Sequence, residues 1–578
     1  MSKTPQFDAA LDALFAELVP HERVCMQCAS SFLIESGDIE LLKKLRVPPP
    51  TLCPRCRMQR RMSYRANLKP VFYKKLCAAP GHTEQVITFY DEENQVPVCD
   101  DAYYMSDAYD GALFGQELDS SKSFFPQFHA FANKIPHQSL TKDPQSVNCE
   151  YVIGGKMSKN CYYVATPNYS EDLQYGSAPL RAKNSIEFSE LEESENCYQC
   201  IRVVQSYNCS FCVDVTQCVD SVFLYDCRNC TNCFGSTNLR NKKYVFFNEQ
   251  LTKEQYEKRV GEIDLGKWSV VQEYLSRFNL LMQNAVRKNL NMIKTENSTG
   301  NHLRECRNCF ETFAVRAQTE NVRYGTFAVD VITDSMDFFG VGKNTLVYEA
   351  TGIPDVVSSK FSWLLRTARE VEYSGECSNV EYCFGCFGLK NKKYHIFNKP
   401  YSEEEYWPRV DEIKTAMLLR GEYGEFFPMK DSAFLYTDST AFFEFPLTKD
   451  QIVSRGLRFL EEKKPEIDIS KFDAIKAADL PDGSAEVTDD ILKKVIVCGE
   501  SGRPFRLTPF ELTFYRSRRL PLPRIHPDLR LKKLLEQRTP LRLWDDHCKK
   551  CQKAMKSGFD PAKNYNVYCE ECYQQEVA

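Results

Sequence analysis

Cys25 and Cys28, in VCMQC, are followed after twenty-four residues by Cys53 and Cys56, in LCPRC. Two Cys-x2-Cys turns at this spacing present four thiolates to one tetrahedral ion, and they leave no position for water, which is the chemistry of a structural zinc site and not of a catalytic one. A second set closes the chain: Cys548, Cys551, Cys569 and Cys572, with seventeen residues between the pairs. The sequence thus predicts two structural zinc ions per chain.

The two ends are diverged copies of one module. VCGES at 497–501 repeats VCMQC, and RLPLPRIHPDLR at 519–530 repeats RVPPPTLCPRCR at 46–57, both at an offset of 473. Each copy has one complete site and one remnant. The C-terminal remnant is Cys498 with Ser501, His526 and Leu529, and the N-terminal remnant is Cys77 and Cys99 with Pro80 and Ala102. His82 lies close to Cys77 in sequence, and the expectation for it is a satisfied surface histidine.

Behind the first knuckles come Arg55, Arg57, Arg60, Arg61 and Arg65, matched in the C-terminal copy by Arg530, Lys533 and Arg538. Residues 21–80 carry a net +8 and residues 498–544 a net +7, leaving −20 for the remainder of a chain whose total is −5. On a helix, intervals of three and four residues place Arg57, Arg60, Arg61 and Arg65 along one side, where they could track phosphates. Tyr64, Phe72, Tyr73 and Trp544 stand near as stacking partners. The expectation is a non-enzymatic zinc scaffold that binds RNA or a ribonucleoprotein through its basic ends. The alternative is a protein-interaction or self-assembling scaffold without nucleic acid. The chain has no Gly-rich phosphate loop, nucleophile elbow or His-Glu-x-x-His, and only eight histidines, so neither an enzyme nor a small-molecule substrate is expected.

The elements that carry these ends begin with a twelve-residue phrase repeated eight times over 146–236. A small residue opens it, Asn or Asp follows two positions later, as at Asn148, Asn160, Asp172 and Asn184, and then comes a small buriable residue, often Cys. Short fixed periods with a turn-former indicate a solenoid. Twelve extended residues span only about 40 Å, which favours a coil of two repeats with Cys197 stacked between Leu173 and Ser221. The fold class expected is mainly β with α: a duplicated β-solenoid with inserted helices between two zinc-ribbon modules. NLRNKKYVFFNEQLTKEQYEKRVGEI at 238–263 recurs as GLKNKKYHIFNKPYSEEEYWPRVDEI at 388–413, an offset of 150, with capping boxes at Thr252/Gln255 and Ser402/Glu405. The domains expected are an N-terminal module (1–102), a cap on the solenoid's first coil (103–145), solenoid half 1 (146–248), a helical insertion (249–296), solenoid half 2 (297–398), a helical segment (399–461), a linker (462–490) and a C-terminal module (491–578). The inner cysteines, such as Cys227, Cys230 and Cys233, are expected to fill a stacked core; metal binding there is the lesser alternative.

With 578 residues, 43% hydrophobic and 26% charged, the chain has the composition of a soluble multidomain protein. It lacks a membrane-length apolar run and a signal-peptide layout, so its 26 cysteines are expected to be reduced, in the cytoplasm.

Cys-x2-Cys, then PPPTLCPRCRMQRR, the Asn-Cys repeats, LRNKKY with its capped helix, GEFFP and a closing Cys-x2-Cys pair together resemble an uncharacterised family of large zinc-ribbon proteins from candidate-phyla, small-genome bacteria. The resemblance spans nearly the whole chain and implies zinc ribbons at both ends. Ser501, His526, Leu529, Pro80 and Ala102 depart from a pattern of two sites at each end.

Overall fold

The computed structural model describes residues 2–316, 318–340, 342–352, 354–461 and 468–577. Its body is two large sheets, of eleven and fourteen strands, running from Glu150–Ile153 to Glu249–Gln250 and from Met292–Ile293 to Lys399–Pro400. Strands within each sheet pair in parallel except the last, which returns antiparallel.

The twelve-residue phrase acts through its backbone. Asn184, Glu187, Glu190 and Glu193, then Asn196, Gln199, Arg202 and Gln205, all have φ between 44° and 59°. The chain therefore turns at every third residue, and four such turns return it to register twelve residues on: Ser185 pairs with Leu173, Phe188 with Cys200 and Leu191 with Val203. One repeat makes one rung, which corrects the expected two. The length argument assumed long straight sides, whereas turns three residues apart let twelve residues close a narrow rung. Cys197 consequently stacks on Ser185, whose Oγ accepts the Cys197 N–H at 3.0 Å, and Cys209 pairs with Ser221.

The residue after each turn points inward. Ser185, Phe188, Leu191, Ser194, Cys197, Cys200, Val203 and Ser206 are all buried. Interior positions thus recur every three residues, so Cys197 and Cys200, or Cys227, Cys230 and Cys233, look like metal knuckles while facing one apolar core. The polar turn residues form outer ladders, as in Asn148 to Asn160 and Asn160 to Asp172, both 2.8 Å. The second sheet slips to a thirteen-residue step at Cys306–Thr319 and Thr319–Ile332.

Both halves end as the duplication predicts, with capping boxes at Thr252/Gln255 and Ser402/Glu405 starting helices Lys253–Gly261 and Glu403–Leu419. Helix Trp268–Asn284 lies on the first sheet, its Phe278 and Tyr274 rings 5.7 and 5.3 Å from Phe223 and Phe234. Helix Phe124–Ala132, expected on the first rung, instead packs on the second sheet, with Phe124 at 5.0 Å from Tyr373 and 5.7 Å from Phe397. Its partners there are aromatic turn residues of that half, Tyr373 and Phe397. Of the expected linker, 462–467 lie outside the described residues. Beyond them Ala474–Lys476 pairs with Val495–Val497, so this stretch belongs to the C-terminal module.

Gln217 is an exposed turn residue with φ 54°. A left-handed conformation costs any L residue about 1–2 kcal/mol and a β-branched one more, so Gln217→Val should lower stability in denaturant unfolding while Gln217→Gly, spared that cost, should not.

Candidate metal centres and arginine clamps

Four ribbons share one backbone frame. In the first, Cys25 N–H donates to Ser30 O and Ala29 N–H to Cys25 O, both at 2.9 Å, and Met26 N–H donates to Thr51 O at 3.2 Å. The last repeats it with Cys548 to Lys553, Gln552 to Cys548 and Lys549 to Val567, at 2.9, 2.9 and 3.0 Å. In both, the third cysteine immediately precedes a helix, Pro54–Ser63 or Glu570–Val577, and its N–H donates to the first cysteine's sulfur at 3.3 Å. The residue four after the first cysteine is left-handed in all four ribbons: Ala29, Gly81, Gly502 and Gln552.

The eight predicted ligands gather as two tetracysteine clusters, each with all sulfurs within 4.8 Å of one another. Cys28 to Cys53 and Cys551 to Cys569 are both 3.8 Å, and sulfurs 2.3 Å from a tetrahedral ion lie about 3.8 Å apart. Each cluster therefore fits a zinc ion. Burial pushes Cys548 up, but the backbone amides of Cys551, Cys569 and Lys550 outweigh it and bring the thiol down to about 6, whereas burial and the neighbouring cysteines push Cys572 up to about 12, so the amides favour the thiolate at Cys548 alone. The cysteines of the twelve-residue repeats form no such cluster among the described residues.

The two remnants keep the frame in different ways. Around Cys498, the amides of Ser501 and His526 still point at its sulfur, and Leu529 packs against an apolar cluster with Phe505 and Leu531, so packing replaces the ion. In the N-terminal remnant, Ala78 N–H donates to Val98 O as Lys549 does to Val567, and helix Asp101–Met105 starts after Asp100 as Glu570–Val577 does after Cys569. Asp100 and Tyr103, not Cys99 and Ala102, therefore occupy the places of Cys569 and Cys572. Cys99 is fully buried in a ladder with Gln138.

The arginines overturn the expected phosphate-tracking face. Arg57 and Arg61 grip the two oxygens of Asp337, both at 2.8 Å, and all three side chains are 0–1% exposed. Arg60 pairs with Glu349 and, at 2.7 Å, with Glu425. In the C-terminal module Arg530 pairs with Glu187 and Glu511, and Arg538 with Glu190 at 2.6 Å. Arg55 is partly buried, donating to Leu541 O at 3.0 Å beside the Phe445 ring. Arg65 is partly buried against Gly352, where a side chain would collide with its guanidinium. Lys533 is exposed and paired with Glu500. The intervals did place Arg57, Arg60 and Arg61 on a common helix, but that helix is buried from Cys56 to Ser63.

These pairs obey both duplications. Arg57 and Arg530 differ by the module offset of 473, and Glu187 and Asp337 by the half offset of 150. The N-terminal module grips the second sheet and the C-terminal module the first, through the same residue pair. Arg316 adds a tie between the sheets, bonding Glu190 and, at 3.5 Å, Glu192. Burial pushes Glu190 up, yet Arg538 and Arg316 bring it down to about 2. Sequence reasoning missed Glu187, Glu190, Asp337 and Glu349; the available signal was an acid among aromatic turn residues. It also missed a buried group of Tyr90, His137 and Glu376, in which Tyr90 donates to Glu376 at 3.0 Å beside a cavity of about 30 Å³, room for water.

Comparison with protein-family models finds no match, nor does comparison with curated protein sequences. Among solved structures, a putative acetyltransferase from Desulfovibrio desulfuricans G20 aligns at 9% identity over 45% of this chain and 67% of its own, with a TM-score of 0.10.

Zinc analysis after dialysis against a mild chelator should give two ions per chain, and Cys28→Ser or Cys551→Ser should each reduce this to one. Burial raises Glu511 to about 7, above its unfolded value of about 4.3. Its contribution to stability is thus full below pH ~4 and lost as pH rises through ~7. Relative to the parent, Glu511→Gln should gain on the order of 2–3 kcal/mol between pH 5 and pH 8, read from denaturant unfolding at each pH.

Proposed function

We propose that the chain is a non-enzymatic, zinc-braced scaffold for protein partners, built from two β-solenoid halves of twelve-residue coils whose ends are locked by the ribbon modules. The observation that carries this reading is the burial of Arg57, Arg60, Arg61, Arg530 and Arg538 in ion pairs with the body. Residues committed to internal carboxylates are not available to phosphate, so the basic ends serve as internal clamps and the nucleic-acid reading loses its contacts. What the molecule offers a partner is the regular outer surface of the coils, such as the ladder from Gln217 through Gln205 to Glu193, at 3.2 and 3.0 Å. Stacked repeats commonly use such extended surfaces for binding. The first tetracysteine cluster fixes the start of the helix that carries Arg57, Arg60 and Arg61, and so adds rigidity to the clamp. Among the described residues no disulfide joins the cysteines and no helix is long and apolar enough to cross a membrane.

Zinc-loaded full-length protein mixed with a labelled RNA at low ionic strength should leave its fluorescence anisotropy unchanged. A protein partner retained equally from native lysate with and without nuclease is the accompanying expectation. Binding that falls steeply with salt would return the ribonucleoprotein reading.

A further inference from the structure

The N-terminal remnant has lost its tetrathiolate set but has gathered another. Cys77 keeps the place of Cys548, and Asp100 takes that of Cys569. The knuckle loop is longer, since Cys77 N–H reaches Glu84 O where Cys548 reaches Lys553 O. The added length brings His82 back over the cysteine, in place of Cys551. The three candidate ligand atoms form a compact triangle. Cys77 Sγ lies 3.4 Å from His82 Nδ1 and 3.6 Å from Asp100 Oδ2, and His82 Nδ1 lies 3.3 Å from Asp100 Oδ2.

Of the three edges, the two to sulfur also suit hydrogen bonds, and the one between His82 and Asp100 distinguishes a metal site. A well-formed N–H to carboxylate bond measures about 2.7–2.9 Å, shorter than the 3.3 Å between His82 and Asp100. A tetrahedral ion with bonds of about 2.3 Å to sulfur and about 2.0–2.1 Å to nitrogen and oxygen sets ligand edges of about 3.5 Å for S···N, 3.5 Å for S···O and 3.4 Å for N···O. All three observed edges fall within about 0.1 Å of these, inside the tolerance expected of a metal site. We infer that Cys77, His82 and Asp100 bind a third divalent ion of the zinc class, with a fourth coordination position open to water or an anionic ligand.

The surroundings agree with an exchangeable ion. Cys77 is buried, but the His82 and Asp100 side chains are about a third exposed, at 32% and 28%. The place of the fourth thiolate belongs to Tyr103, whose ring stands edge-on to the His82 ring at 5.8 Å and shields one side. Glu84, whose side chain is 60% exposed, lies 2.9 Å from His82 Nδ1. It therefore competes for that nitrogen when no ion is present. One soft and two harder ligands suit zinc or cobalt and disfavour magnesium or calcium, and three protein ligands with an open fourth are the count found in exchangeable and catalytic zinc centres, unlike the closed sites at Cys25 and Cys548. The inference does not depend on the scaffold reading, because the site lies apart from the clamps and from both tetracysteine clusters.

Full-length protein carrying two zinc ions after chelator dialysis is titrated with cobalt(II). One further equivalent should bind, with a visible spectrum of a four- or five-coordinate ion and the charge-transfer intensity of one thiolate. His82→Ala and Asp100→Asn should each weaken cobalt binding by at least about tenfold, since even losses outside the first ligand sphere cost that much. Zinc content of two and the melting temperature should be unchanged in both variants, which separates loss of this site from loss of the fold. Wild-type protein that takes up no cobalt beyond its two zincs, cobalt that enters only by displacing zinc with a tetrathiolate spectrum, or variants that bind as tightly as wild type would each overturn the assignment.

Discussion

A carboxylate placed on the second or third turn of a twelve-residue rung, beneath a docked module, has no water to solvate it. Asp337 and Glu349 are fully buried, and Glu187 and Glu190 nearly so. An ionised carboxylate in such a place costs several kcal/mol unless a cation with good geometry meets it, and removing one partner of such a pair costs about 3–5 kcal/mol. Arg57, Arg61 and Arg60 meet the first two, Arg530 and Arg538 the others. Most of the remaining architecture follows from this requirement. The modules must lie on the sheets, the first knuckle must hold the helix that carries Arg57, Arg60 and Arg61, the packed remnant around Cys498 must hold the helix that carries Arg530, and the chain must cross so that its first module reaches its second half.

The sequence carried the elements with short-range signatures. Cys-x2-Cys spacing located both clusters, the offsets of 473 and 150 marked the duplicated modules and halves, and Thr252/Gln255 and Ser402/Glu405 marked helix starts that the structure contains. The rung was harder. A period of twelve is plain in the residues, but the left-handed turn at every third one is not, because Glu187, Phe211 and Gln199 are not usual left-handed residues. Without those turns Cys197 and Cys200 seem to face opposite ways, whereas both point inward. The arginines were legible as a helical cluster and illegible as to destination, since their partners lie some 280 residues away at Asp337 and 343 away at Glu187. Charge counting then misleads: the positive ends and negative body seen along the chain neutralise each other inside the fold.

The four ribbons show how far the frame can depart from its metal. Two hold four thiolates, one replaces the ion with packing around Cys498, and one rebuilds a smaller ligand set around Cys77. The amide bond of the residue after the first cysteine and the left-handed residue four beyond that cysteine survive in all four, so the hairpin and the helix start, not the ion, define the unit.

Hydrogen exchange measured by mass spectrometry on an Asp337→Ala variant tests the clamp most directly. If the ion pairs fix the ends to opposite halves, exchange should accelerate together in helix 54–63 and strand 332–339, leaving the C-terminal module as protected as in the parent. Unchanged protection of helix 54–63 in that variant would contradict the account.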